Sequence, residues 1–287
     1  MKLGVAFAGG GVKGIAHAGV LKALEEENVK IDVFTGTSSG SHVAFLSAIG
    51  FNSNMIKDAF DNNINALVGK NEIIDLKSYL LSKYFNFKGL RSGLAIEEFY
   101  KKIAKEYGIE KINDIKSSLG IVATDLIKEK EVWFTSKKIE DEHVIKNKIN
   151  IIDVDIGKAI RASSSYSILF DPCFIDDNVY IDGGAVNNTP IDLAKALGAD
   201  KVLAVRFEED KFLEANNLNV INIGLKTLDM MSNTISNKMI EEADIVVTIK
   251  SQSNNILDIS NSETYFLDGY LAMKNKIKEL KKALEFY

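Results

Sequence analysis

Cysteine is close to absent: Cys173 stands alone among 287 residues. No disulfide can close within the chain, and a reducing compartment is expected. Cys173 with only His17, His42 and His143 is too thin a ligand set for structural zinc, so no metal is expected. The two prolines, Pro172 and Pro190, mark no hinge. Positive charge is not in surplus: 35 Lys and Arg against 40 Asp and Glu leave a formal charge of −5. That excludes the basic face of a nucleic-acid binder. Long apolar runs are missing too; none reaches the ~18 residues of a membrane-spanning helix. The opening "MKLGVAFAGGGV" has the lysine, apolar run and A-x-A triplet of a secretory leader. Its positive region is one residue and glycines break the run, so a buried first strand explains the same residues better. The expectation is a cytoplasmic protein that meets a membrane surface no more than transiently.

What is present is ordinary globular material, 46% hydrophobic and 26% charged. The length suits one large α/β domain over 1–287. Strands are expected at 3–8, 33–36, 119–126, 131–135, 178–182, 201–207, 219–224 and 243–250. Helices are expected at 14–27, 39–50, 54–66, 95–107, 155–162, 190–197, 227–242 and 269–285. Continuous apolar strands alternating with helical patterns predict an α/β fold with a mostly parallel central sheet and helices on both faces. Residues 51–115 interrupt the alternation with Asn- and Lys-rich helical sequence. Such an insertion reads either as a cap over a site or as plain surface helices.

The stretch "VFTGTSSGSHVAFL" places Ser38 between Gly36 and Gly40, at the junction of a strand and a helix. A nucleophile elbow needs this arrangement, because its serine sits in a strained turn where flanking Cβ atoms would collide. The helix N-terminus would favour negative charge developing there. "AGGGVKG", containing Gly9, Gly10, Gly11, Lys13 and Gly14, follows the first strand and opens a helix. Consecutive glycines let backbone N–H groups converge on an oxyanion or a phosphate. The spacing Gly9-x-Gly11-x-x-Gly14 also matches a dinucleotide fingerprint, but that fold wants an acidic residue closing the second strand. Here the second strand ends in "TGTSSG", so an oxyanion hole fits better and no cofactor is expected.

Serine needs a base, and no histidine suits a Ser…Asp…His order. His143 lies in a charged surface stretch. His17 falls on the first helix; His42, one turn after Ser38, could approach the site and is a minor alternative as base, although a side chain there usually points away from an elbow. In "NVYIDGGAVNNTP", Asp182 ends a strand and is followed by Gly183 and Gly184. It reads equally as a turn former or as a carboxylate positioned to accept the Ser38 proton. A free aspartate, with a pKa of ~3.9, is a weak base unless a shielded site and oxyanion donors offset the mismatch.

Taken together, "AGGGVKGIAHAGVL", "TGTSSGS" and "YIDGGAVNNTPIDLAKALGAD" resemble the patatin-like phospholipases of compact bacterial type. "IVATDL", "AIRASSS" and "ADIVV…GYLAM" fall in the same order, so the resemblance covers nearly the whole chain. It implies a three-layer α/β/α sandwich and a Ser38–Asp182 dyad without histidine. Gly9, Gly10 and Gly11 are implied as oxyanion donors, with Lys13 orienting that loop or meeting a lipid phosphate. The implied reaction is metal-free hydrolysis of a phospholipid or lysophospholipid ester through an acyl-serine.

Three features depart from the family pattern. After "AIRASSS" the usual Ile-Pro-Gly-like turn is replaced by Tyr166, Ser167, Ile168, Leu169, Phe170, Asp171 and Pro172, which puts the local loop shape in question. After Asp125 a Thr-Gly turn gives way to "LIKEKE", and His42 is atypical. The altered loop motivates an alternative, a non-catalytic lipid- or partner-binding protein on the same scaffold; a soluble ester or thioester hydrolase is another. For membrane contact, the C-terminal stripe Met273, Ile277, Leu280 and Leu284 suits an interfacial helix or, more simply, packing on the protein's own sheet. "LLSKYFNFKGL", with Tyr84, Phe85 and Phe87, is a second candidate.

Overall fold

A computed structural model of the chain describes residues 1–67, 89–141, 145–208, 219–250 and 261–285. Its centre is a nine-stranded sheet. The strands are β1 (Leu3–Phe7), β2 (Val33–Thr37), β3 (Ser118–Asp125), β4 (Lys130–Thr135), β5 (Lys148–Ile151), β6 (Cys173–Ile175), β7 (Asn178–Asp182), β8 (Lys201–Phe207) and β9 (Ile245–Ile249). They run in the order β5-β4-β3-β2-β1-β8-β9, with the β6–β7 hairpin attached to β3. Pairings are parallel except β3–β4, β3–β7 and β6–β7, so the sheet is mixed but mostly parallel, as the alternating pattern predicts.

Helices cover both faces. They are α1 (Ile15–Glu26), α2 (Ser39–Ala48), α3 (Ser53–Leu67), α4 (Leu94–Glu106), α5 (Ile156–Ser163), α6 (Ile191–Ala196), α7 (Val220–Met239), α8 (Ser262–Lys274) and α9 (Ile277–Glu285). Strand alternation assigns the faces. Leu3, Val5 and Phe7 join α1, α2 and α8 in the larger core, while Ala6 and Val33 pack with Ile191 and Ala194 of α6 on the opposite side. Fully buried apolar side chains of this kind each contribute about 1.5–3 kcal/mol. From the 51–115 insertion, α4 is seated on α5 by Arg161, whose Nη1 donates to Glu97 Oε2 at 3.0 Å and Nη2 to the Ser92 carbonyl at 3.0 Å. Tyr84, Phe85 and Phe87 lie outside the described residues.

Three expectations change. The apolar run at 219–224 is helical, not a strand: Asn219 caps α7 by accepting from the Asn222 N–H at 2.9 Å, and a short apolar run has no period of its own to settle the matter. β5 and β6 escape a pattern search because they have four and three residues. The expected C-terminal helix over 269–285 is two helices, α8 and α9. Met273 and Leu280 are fully buried and Ile277 nearly so, while Lys274 and Lys281 pair with Glu27 at 3.0 and 2.7 Å. That stripe therefore packs on the protein itself. No helix among the described residues is long and apolar enough to cross a membrane.

α2 crosses the end of β1 at backbone contact: a Cβ added at Gly40 would sit 2.2 Å from the Phe7 carbonyl oxygen, and one at Gly36 would sit 2.2 Å from the Gly40 oxygen. Gly→Ala in a helix interior ordinarily stabilises by about 1 kcal/mol. Gly40→Ala is expected to reverse that sign and cost at least about 2 kcal/mol in urea unfolding, because neither backbone can retreat without opening the sheet. A neutral or stabilising result would disprove this packing argument.

Candidate active site

The site forms where β3 changes partners. Along its first half β3 pairs with β2, ending at Thr37↔Val122. One residue later β7 takes over the same edge, beginning at Ala123↔Asp182. The chain leaving β2 at Ser38 therefore arrives beside the last residue of β7. This register brings together two residues 144 positions apart in sequence (182 − 38).

Ser38 sits at φ 51°, ψ −127°, a left-handed conformation that costs of order 1–3 kcal/mol for a residue with a side chain. Its amide donates to Ser163 Oγ at 2.9 Å, and that hydroxyl donates onward to the Val122 carbonyl at 2.6 Å. The next turn of the same segment holds the other partner, since the Asp182 N–H donates to the Ser165 carbonyl at 3.0 Å. "RASSS" is thus the clamp between the two halves of the site.

Asp182 is buried. Its Oδ1 accepts from the Gly184 N–H at 2.7 Å; Oδ2 has no hydrogen bond of normal geometry. Burial above all holds the carboxyl pKa up at about 6, with the nearby Asp229 charge adding a lesser push in the same direction. The Ser38 hydroxyl and the Gly184 amide pull it down. Ser38 and Asp182 face the same cavity, near enough for the hydroxyl to act on the carboxyl's pKa. Behind Asp182 the loop is pinned to β2. Thr37 Oγ1 donates to the Asn187 carbonyl at 2.8 Å and Thr35 Oγ1 to the Pro190 carbonyl at 2.9 Å. Gly183 lies against the Val122 carbonyl, where a Cβ would approach to 2.4 Å.

The glycine loop closes the opposite wall. The Gly9 amide is engaged with the Asn188 carbonyl at 3.2 Å, and the Gly10 amide donates to Ser39 Oγ at 3.0 Å. Gly11, at φ 59°, has an amide with no acceptor among the described residues. The three amides are therefore unequal: one is spent on the fold, one is held by an exchangeable hydroxyl and one is unengaged. Gly14 packs on the first turn of α2, where a Cβ would come within 2.6 Å of Ser39 Cβ. Loop, Ser38 and Asp182 line a common cavity of about 170 Å³, with the buried Lys13 in its wall.

The histidines stand apart from this pair. His42 lines the cavity, but its Nε2 meets Ser164 Oγ at 2.7 Å, and burial pushes its pKa down to about 3. His17 Nε2 meets the Ala8 carbonyl at 2.8 Å, and burial pushes its pKa to about 4. Both rings are neutral at ordinary pH. His143 lies outside the described residues. Sequence reasoning gave no role to Ser163, Ser165, Asn188, Tyr166 or Asp229. The serines carried a signal as a motif block, whereas Asp229 falls on a helix the sequence had half assigned to a strand.

Fold and site together define a class: α/β proteins that present a serine on a strand–helix elbow facing a glycine loop. The profile of the patatin-like phospholipases matches residues 5–195. The chain belongs to that family of serine lipid hydrolases. It is 26% identical over 279 residues to a probable lipid hydrolase 463L of Invertebrate iridescent virus 6, covering 87% of this chain and 90% of the relative. It is 27% identical over 208 residues to lysophospholipase nte1 of Aspergillus fumigatus, covering 71% of this chain but 12% of that much longer protein. Among solved structures, VipD from Legionella pneumophila shares the fold, with a TM-score of 0.53 at 14% identity over 97% of this chain and 67% of that one.

The raised Asp182 pKa fixes a stability prediction. The folded state holds this proton more tightly than the unfolded chain, so the contribution is complete below pH ~4 and is lost as pH rises through about 6. At pH 8 the ionised carboxylate costs the fold about 3 kcal/mol. Asp182→Asn is expected to melt above the parent at pH 8, with the gap narrowing toward pH 4 by calorimetry. A gap independent of pH would contradict the assignment.

Proposed function

We propose that the protein is a lipid acyl hydrolase of the phospholipase A or lysophospholipase type, with Ser38 as nucleophile and Asp182 as its base. The observation that carries this reading is the register on β3, which sets a strained serine at the N-terminus of α2 beside a buried carboxylate whose second oxygen lacks a formed hydrogen bond. Ser38 Oγ attacks the ester carbonyl while its proton passes to Asp182. A carboxylate with a pKa of about 6 is a better base than a free aspartate, because the optimum lies near the working pH. The Gly11 amide, and the Gly10 amide on exchanging Ser39 for the substrate, hold the oxyanion beside the N-terminus of α2.

Collapse of the tetrahedral intermediate breaks the ester C–O bond. Asp182 returns its proton to the departing alcohol, leaving an acyl-serine and an ionised carboxylate. Water then donates a proton to Asp182 as its oxygen attacks the acyl carbon; collapse re-protonates Ser38 and frees the fatty acid. A cavity walled by Phe60, Ile96, Leu169 and Phe170 supports an acyl chain as the group held there. The lipid names of the viral and fungal relatives support the same class of substrate.

Ser38→Ala and Asp182→Asn are each expected to lower ester hydrolysis by at least about a thousandfold while the protein stays folded by circular dichroism. A fluorophosphonate probe should label the parent and not Ser38→Ala. Full activity in either variant would overturn the mechanism. Silence toward the probe by the folded parent would favour a lipid-binding role instead, and hydrolysis of short-chain esters but not phospholipid would favour a soluble-ester enzyme. In the active protein kcat/KM should rise with pH through an ionisation near 6 and then level, because the base works only when deprotonated. A pH-independent kcat/KM between 5 and 8 would exclude Asp182 as the base.

A further inference from the structure

The twenty-residue helix α7 buries one residue, Ser236, and that hydroxyl has no hydrogen-bond partner. Its inner side lines the cavity through Lys226, Asp229, Ser232 and Asn233. Its outer side is unusual for a chain with 26% charged residues. Positions 220, 223, 227, 230, 231 and 234 recur at the three- and four-residue spacing of one helix face, and they are Val, Ile, Thr, Met, Met and Thr. Val220 is 81% exposed, Ile223 49%, Met230 61% and Met231 59%.

The two threonines do not make this face polar. Thr227 Oγ1 donates to the Ile223 carbonyl and Thr234 Oγ1 to the Met230 carbonyl, each at 2.8 Å. Their hydroxyls are satisfied inside the helix, so the row asks nothing of water. No carboxylate stands among the exposed positions of α7 itself; Lys238, near its far end, is followed by the exposed Glu241 and Glu242. An apolar face with internally satisfied polar groups and no charge along its row, on the helix that walls the cavity, fits the apolar boundary of a phospholipid surface better than an aqueous partner.

We propose that the outer face of α7 is the surface by which the protein docks on a phospholipid bilayer, laying the rim of its cavity against the lipid. This rests on the reading of that cavity as a lipid-ester site. The helix has one side on the substrate's chamber and the other on the phase the substrate leaves, so docking and substrate entry occur at the same rim. The apolar side chains enter the headgroup–acyl boundary.

The test is the double variant Ile223→Glu, Met230→Glu in the full chain, with Leu271→Glu, at a leucine 50% exposed on α8, as the control. Co-sedimentation is measured with vesicles of phosphatidylcholine, alone and with phosphatidylglycerol; hydrolysis is measured on those vesicles and on p-nitrophenyl butyrate. The double variant is expected to lose vesicle binding and vesicle hydrolysis by at least about tenfold, with the butyrate rate within about twofold and the control unaffected. Vesicle binding kept by the double variant, lost equally by Leu271→Glu, or lost only together with the butyrate rate would each overturn the proposal. So would a parent dimer that the double variant turns monomeric while vesicle binding persists. If the parent hydrolyses neither substrate, the reading of the cavity fails, while co-sedimentation still decides the docking face.

Discussion

Everything at this site depends on one strand exchanging neighbours. β3 accepts β2 up to Val122 and β7 from Ala123, so the sheet itself carries the two chains to the same point from opposite directions. Parallel pairing on one side of the break and antiparallel on the other is required for this: β2 ends, and β7 ends, at the same place. A side chain on a loop could reach Ser38 by many routes and hold none of them. A side chain on a strand end, one hydrogen-bonding step from its neighbour's end, has its position set by backbone bonds that the core already enforces.

The site is kept at a cost that the surroundings offset. Ser38 is held in a strained backbone and Asp182 in a place where its charge is poorly solvated. Against this stands a polar network behind the loop. Asn187 Nδ2 donates to Glu131 Oε1 at 2.7 Å and to Asp192 Oδ1 at 2.9 Å. Trp133 Nε1 donates to the same Glu131 oxygen at 2.6 Å, and Lys148 lies 3.9 Å above the Trp133 ring while pairing with Asp192. Burial and the neighbouring Asp192 raise the Glu131 pKa, so this cluster too is under tension, with Lys148 as the compensating charge. It ties the loop that follows Asp182 to strands far from the cavity.

Much of this was legible in the residues because glycine is informative when a backbone must come close. Gly36 and Gly40 bracket Ser38 since α2 crosses β1 at contact distance, and that requirement is written locally. So is the alternation of apolar strands and amphipathic helices. What was not legible was shared out over distance. Nothing about Ser163 announces that its hydroxyl accepts from residue 38, and three glycines in a row do not reveal that the amides of Gly9 and Gly10 are already occupied. The 219–224 run failed for another reason: Val220, Ile221 and Ile223 are too few to show a period and suit either element, and a single asparagine cap settled the outcome.

The loop at 166–171, where the sequence parts from the family pattern, has a structural consequence that reaches the chemistry. In place of a proline–glycine turn it carries Ile168 at φ 77°, a costly conformation for a β-branched residue. That conformation sets Ile168 against α7, so that a Cβ at Gly224 would lie 2.8 Å from its Cδ1. Tyr166, two residues earlier, donates its hydroxyl to Asp229 Oδ1 at 2.6 Å. The same Asp229 charge acts on Asp182 and raises its pKa. Helix, loop and buried carboxylate are therefore linked, with the Asp229 charge adding a minor push to a shift that burial dominates. The altered loop thus fixes α7 as a wall of the cavity, through the Tyr166 hydrogen bond to Asp229 and the close packing of Ile168 on Gly224.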